Sequence, residues 1–183
     1  MAGHMGSAPA EKNAGLQMLL ARIAMVVAAI GLVAAFFLPW ASADAEFREG
    51  VAAMPDFVFF EPTGMTVSDA TEISLFEYVQ VYGSMDGAWR VYMGIMYAVL
   101  GVSVVALLFA ALGKPIGAVV FGTLVLAGSR VLVWDFGDRS VLPSSTHDWG
   151  MAPTVYIAAF VLLLAAAAWL FVLKRQAKAG AGA

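Results

Sequence analysis

The chain has no cysteine. Structural disulfides, thiolate metal sites, iron–sulfur clusters and cysteine nucleophiles are thereby excluded together, and thiols leave no trace of a redox compartment. Histidine is nearly absent as well. Of the two, His4 lies in Gly3-His4-Met5-Gly6-Ser7, which has the composition of an expression-tag remnant, so only His147 enters the argument. One histidine is too few for a bis-imidazole haem inside a bundle. No glycine-rich phosphate loop, GxSxG turn, HExxH pair or calcium-loop spacing occurs. Catalysis by this chain alone has no motif behind it, and neither a metal nor a cofactor is expected of it. Charge is scarce too: 13% of the 183 residues are charged against 62% apolar, and the mean hydropathy of +0.85 lies far outside the range of soluble domains. Most of this chain belongs in lipid.

What is present is four long apolar runs. A hydrocarbon core of about 30 Å takes about 20 residues of helix, and runs of that length bounded by charge or turn formers occur at 16–40, 91–112, 115–136 and 153–173. The first ends in Phe36-Phe37-Leu38-Pro39-Trp40, a proline and an aromatic that suit an interfacial stop. Gly113-Lys114-Pro115 joins the second and third runs so tightly that they must be an antiparallel pair. Pro153 opens the fourth, and Lys174-Arg175-Gln176-Ala177-Lys178 closes it. Ala41-Ser42-Ala43 has the small-x-small form of a signal-peptide cleavage site, but the apolar run before it is longer than a signal core and reads as a span. The fold expected is an all-α membrane protein, a four-transmembrane-helix bundle with a small extracytoplasmic hairpin-plus-helix insertion between helices 1 and 2.

Orientation follows from charge. Residues 1–15, the 112–115 turn and residues 174–183 share one side with Arg22; there Lys12, Arg22, Lys114, Lys174, Arg175 and Lys178 face only Glu11, a net of +5. The other side, residues 41–90 and 137–152 with the span ends next to them, carries Arg48, Arg90, Arg130 and Arg139 against twelve acids, a net of −8. The basic side is expected to be cytoplasmic, which places both termini there, in a bacterial cytoplasmic membrane. Trp40, Trp89, Trp134 and Trp149 fall at the outer ends of the spans and are expected as interface anchors; Trp169 falls near the inner face.

The loop between the first two spans, about 50 residues, is too long for a passive link. Phe57-Val58-Phe59-Phe60 and Met65-Thr66-Val67 flank Glu61-Pro62-Thr63-Gly64 and predict a hairpin. Ser68 is the expected cap of an amphipathic helix that starts with Asp69 and Glu72, buries Ile73, Phe76, Val79 and Tyr82, and stops at Gly83. Phe57, Phe59, Phe60, Phe76 and Tyr82 form a candidate partner-docking surface; the plainer reading is that they cover the protein's own bundle.

Within the spans Arg130 is the one central charge. It has two readings: snorkelling to the interface, or pairing with a buried acid, for which Asp135, Asp138 and Asp148 are the candidates, with His147 nearby. Glycines of the second and third spans (Gly94, Gly101, Gly117, Gly122, Gly128) together with Ser129 offer close-approach positions. In the fourth span, Leu162-Leu163-Leu164 followed by Ala165 to Ala168 suits contact with lipid and one neighbour. The layout resembles that of claudins and tetraspanins in outline only, because the loop cysteines of those families have no counterpart here. The leading functional expectation is a non-catalytic accessory or scaffold subunit of a larger membrane assembly, an energy-transducing complex being one candidate, that docks through its outer loop and lipid-facing helices. Its expected partners are the bilayer and other membrane subunits, and nucleic acid is not among them. The second expectation is a small transporter, channel or lipid-binding protein that uses Arg130 and the outer acids, and a membrane enzyme comes third.

Overall fold

A computed structural model describes residues 8–180; the tag-like stretch and the last three residues lie outside that range. Six helices and five short strands follow in the order α1 (Ala8–Ala34), β1 (Pro39–Ala43), α2 (Ala45–Ala53), β2 (Val58–Phe60), β3 (Met65–Thr66), β4 (Glu72–Ser74), α3 (Leu75–Ser84), α4 (Trp89–Ala111), α5 (Pro115–Asp138), β5 (His147–Trp149) and α6 (Ala152–Gly180). Four of them, α1, α4, α5 and α6, are long and apolar enough to cross a membrane, which marks an integral membrane protein. Only 28% to 33% of the residues in each span are buried inside the bundle. The rest are mostly apolar and face outward, as lipid requires.

α1 packs along α6 and α4, and α5 along the same two helices from the other side, so α1 and α5 stand diagonally opposed. Small residues set the spacing. A Cβ on Gly31 would meet the Ala159 Cβ at 3.1 Å, and one on Gly122 would meet Leu163 at 2.6 Å, so α6 approaches both α1 and α5 closely. Gly94 and Gly101 differ from the sequence expectation: nothing lies within 4 Å of a Cβ at either, and both sit on exposed surface. At the turn between α4 and α5, Gly113 adopts a positive φ of 64°, Lys174 Nζ donates to its carbonyl at 2.7 Å, and the Arg22 guanidinium lies against it. Two cations from α1 and α6 thus hold that turn.

The insertion departs from the sequence reading at both of its ends. α1 stops at Ala34, well before Trp40, because Pro39 lacks an amide donor and favours extended backbone before it. The chain then enters β1, the middle of an antiparallel sheet ordered β4-β1-β5, with Ala41 opposite both Ile73 and Trp149. That sheet was not expected, and it fuses the segment 137–152 to the insertion. The helix expected to start after Ser68 starts after Ser74. Ser74 and Glu77 form a capping box, with Ser74 N donating to the Glu77 carboxylate at 2.6 Å, while residues 72–74 are held by β1. Gly83 lies inside α3, where Met93 of α4 presses on it. The β2–β3 hairpin does form, closed by Gly64 at φ 71°.

Candidate functional site

Chemistry-bearing residues gather where the sheet meets the bundle. Trp40 sits at a register irregularity of β1, and its ring points into the bundle against Phe136, Trp149 and Tyr156, with centroids 6.0 to 6.3 Å away. It is fully buried, so the interface role expected of it does not fit its position. Trp89 and Trp134 are exposed near the ends of their spans, as an interfacial ring would be, and Trp149 is half-buried on Trp40. Trp40 Nε1 and the Tyr156 hydroxyl are buried without a protein hydrogen-bond partner.

Arg139, at the C-terminal cap of α5, is the most constrained cation. Its Nε donates to both carboxylate oxygens of Asp135 at 3.1 and 3.0 Å, Nη2 donates to the same carboxylate, and Nη1 donates to the Tyr82 hydroxyl at 3.1 Å. The guanidinium carbon lies 4.2 Å from the Tyr92 ring centre, with Tyr82, Trp89 and Phe136 completing a cage at 5.6 to 5.7 Å. Burial opposes the charge, but the Asp135 and Tyr82 contacts outweigh it and raise the Arg139 pKa, so the cation is permanent. This cluster ties α3, α4 and α5 together. It was not read from the sequence, which counted Arg139 only as an outer charge.

Asp135 is therefore taken, and by a different arginine from the one expected. Arg130 is exposed on α5 and shares its outward face with Trp134 one turn further on. Among the described residues it has neither salt bridge nor side-chain hydrogen bond, which fits a side chain snorkelling along the helix. Asp148 is exposed and caps its own strand neighbour, its carboxylate accepting from Trp149 N at 2.7 Å. His147 is buried and joins the α5–α6 connection to the insertion: Nε2 meets the Ala70 carbonyl at 2.6 Å and Nδ1 the Thr146 hydroxyl at 2.9 Å. A carbonyl only accepts, so Nε2 carries a proton and donates to Ala70. Arg130, Asp135, His147 and Asp148 do not form one site. No group of acids and histidines among the described residues has metal-binding geometry.

No family model, curated protein or solved structure matches this chain. The site is therefore read from geometry alone. Of the expected docking residues, Tyr82 is buried in the arginine cage, Phe60 is half-buried, and Phe76, exposed at 39%, lies against Phe37 at 5.7 Å on the bundle side. Phe57 and Phe59 remain exposed at 64% and 51%, joined by Met54 at 62% and by Val58. Position matters here. His147 pairs with Ala43, at the end of β1 far from the bundle; Phe47 packs on His147 at 5.0 Å, and Phe59 packs on Phe47 at 6.2 Å. The exposed apolar tip therefore stands two aromatic layers beyond the far edge of the sheet. Inside the bundle, Ser103 and Ser129 are buried, each donating to a carbonyl of its own helix, and the Tyr156 hydroxyl is buried without a protein partner.

Proposed function

We propose that this chain is a non-catalytic accessory subunit of a larger membrane assembly, an energy-transducing complex being one candidate, and that it docks through the tip of its insertion. The observation that carries this reading is the exposed Met54-Phe57-Val58-Phe59 surface, held on a folded support and placed away from the spans. An exposed apolar surface outside the spans is stabilised by a protein cover. The charge asymmetry of +5 against −8 supports an extracytoplasmic insertion and cytoplasmic termini in a bacterial cytoplasmic membrane. The sparse polar interior, two self-bonded serines and the Tyr156 hydroxyl among the described span residues, supports a packing role over transport, as does the exposed position of Arg130.

The test is the mass of the assembly extracted in mild detergent, for the intact chain and for Phe57→Ser/Phe59→Ser. The intact chain is expected in a complex well above its own 19.3 kDa, and the double variant as a folded but released subunit. A lone monomer in the first case, or an undiminished complex in the second, would overturn the proposal.

A further inference from the structure

The end of the bundle opposite the insertion carries an amphipathic cleft that the docking function does not use. Between the α4–α5 turn and the last turns of α6 lies an opening of about 500 Å³, walled by Phe109 and Phe171 and rimmed by Lys114, Lys174, Arg175 and Lys178. It adjoins a groove of about 330 Å³ that runs along α5 and α6 toward the middle of the bundle, lined by Val119, Val120, Leu164 and Ala168. Pro115, Ile116 and Phe171 line both, so the two are one surface with a cationic head and an apolar tail. The alanine run of α6 makes the groove: Ala167, itself nearly buried, and exposed Ala168 line it and leave space where larger side chains would fill it.

The cations at the head are not occupied by carboxylates. All three salt bridges among the described residues are at the insertion end. Lys174 is committed to the Gly113 carbonyl, while Lys114, Arg175 and Lys178 are exposed, with the Arg175 guanidinium 5.4 Å from the Phe171 ring. α6 is 29 residues long, about 43 Å, and so overshoots a hydrocarbon core of about 30 Å. Its basic last turns therefore fall at headgroup depth when the groove lies at acyl-chain depth.

We propose that this cleft binds one anionic phospholipid, with its phosphate on Lys114 and Arg175 and an acyl chain along the Val120–Leu164–Ala168 groove. Charge complementarity selects the head, and the continuous apolar groove selects a lipid over a free anion.

The experiment is native mass spectrometry of the delipidated full-length chain, titrated with phosphatidylglycerol, with phosphatidylcholine of the same acyl chains, and with inorganic phosphate. One phosphatidylglycerol is expected to bind about tenfold more tightly than phosphatidylcholine, a preference that Lys114→Gln/Arg175→Gln abolishes. Ala168→Trp, which fills the groove and leaves the charges in place, is expected to weaken both lipids without changing their ratio. All three positions are exposed, and helical circular dichroism checks that each variant folds. Equal binding of the two lipids overturns the proposal, as does a preference that survives loss of the two cations. Phosphate competing as well as the lipid, with no response to Ala168→Trp, reveals a free-anion site and also overturns it.

Discussion

Arg139 shows how one side chain organises three helices. It is the i+4 partner of Asp135 at a helix C-terminus, where a cation is favoured by both the pair and the helix dipole. Its side chain and that of Asp135 are each about one-fifth exposed, so removing it strands a largely desolvated carboxylate. Arg139→Ala is expected to destabilise the protein by about 2 kcal/mol, and Arg139→Lys to recover only part of that, because an ammonium does not reproduce a planar group stacked on Tyr92. Thermal unfolding in detergent reads both. Tyr156→Phe should act in the opposite sense. Its hydroxyl is buried without a protein partner, so removing it is expected to leave stability unchanged or raise it by about 1 kcal/mol. The sequence revealed neither role: the Asp135–Arg139 spacing is visible, but the aromatic cage draws on residues as far as Tyr82, 57 positions away in the chain. Asp69 adds a pH dependence. Hydrogen bonds from the Thr66 amide and hydroxyl hold its carboxyl below the ordinary range, with burial opposing slightly. Its folded pKa is thus the lower one, so its contribution is present above the ordinary carboxylate pKa of about 4 and lost as pH falls through the folded value. Asp69→Asn is expected to flatten that part of the stability profile on the acid side.

At the scale of elements, hydropathy and charge make the four spans legible, because a helix crossing lipid must be apolar along its whole length. The hairpin was legible from its turn residues. The three-stranded sheet was not: its strands are three to five residues long and lie at 39–43, 72–74 and 147–149, too short for alternation to register and too far apart for local signals to pair them. The Ser74-x-x-Glu77 box was present in the sequence, but the acids after Ser68 pointed to an earlier start. Close packing between elements is equally hidden, since glycine spacing alone does not say which face meets a neighbour. Gly150 shows the difference. A Cβ there would lie 2.3 Å from the Pro39 carbonyl oxygen, and the Gly150 amide is fixed by donating to the Trp40 carbonyl at 2.8 Å. Gly150→Ala is expected to cost about 3 kcal/mol, whereas Gly94→Ala, facing open space, is expected to be neutral or stabilising. Comparison of the two melting temperatures checks this pair.

For the whole molecule, the lack of cysteine supplies a clean background for testing sidedness. Single cysteines at the exposed positions Ser145 and Lys178 should react with a membrane-impermeant maleimide from opposite sides of intact cells or spheroplasts. Ser145→Cys is expected to be labelled directly and Lys178→Cys only after permeabilisation; the reverse pattern would invert the proposed topology. The central position of β1 also bears on how the protein is made. β1 and β4 emerge from the ribosome early, but β5 follows only after α4 and α5. Until residues 147–149 reach it, β1 keeps one unpaired edge and His147 is not yet on Ala70. In the proposed topology β1 gains its second partner only after α5 has been threaded, so a chain whose insertion stalls before that point keeps an open strand edge.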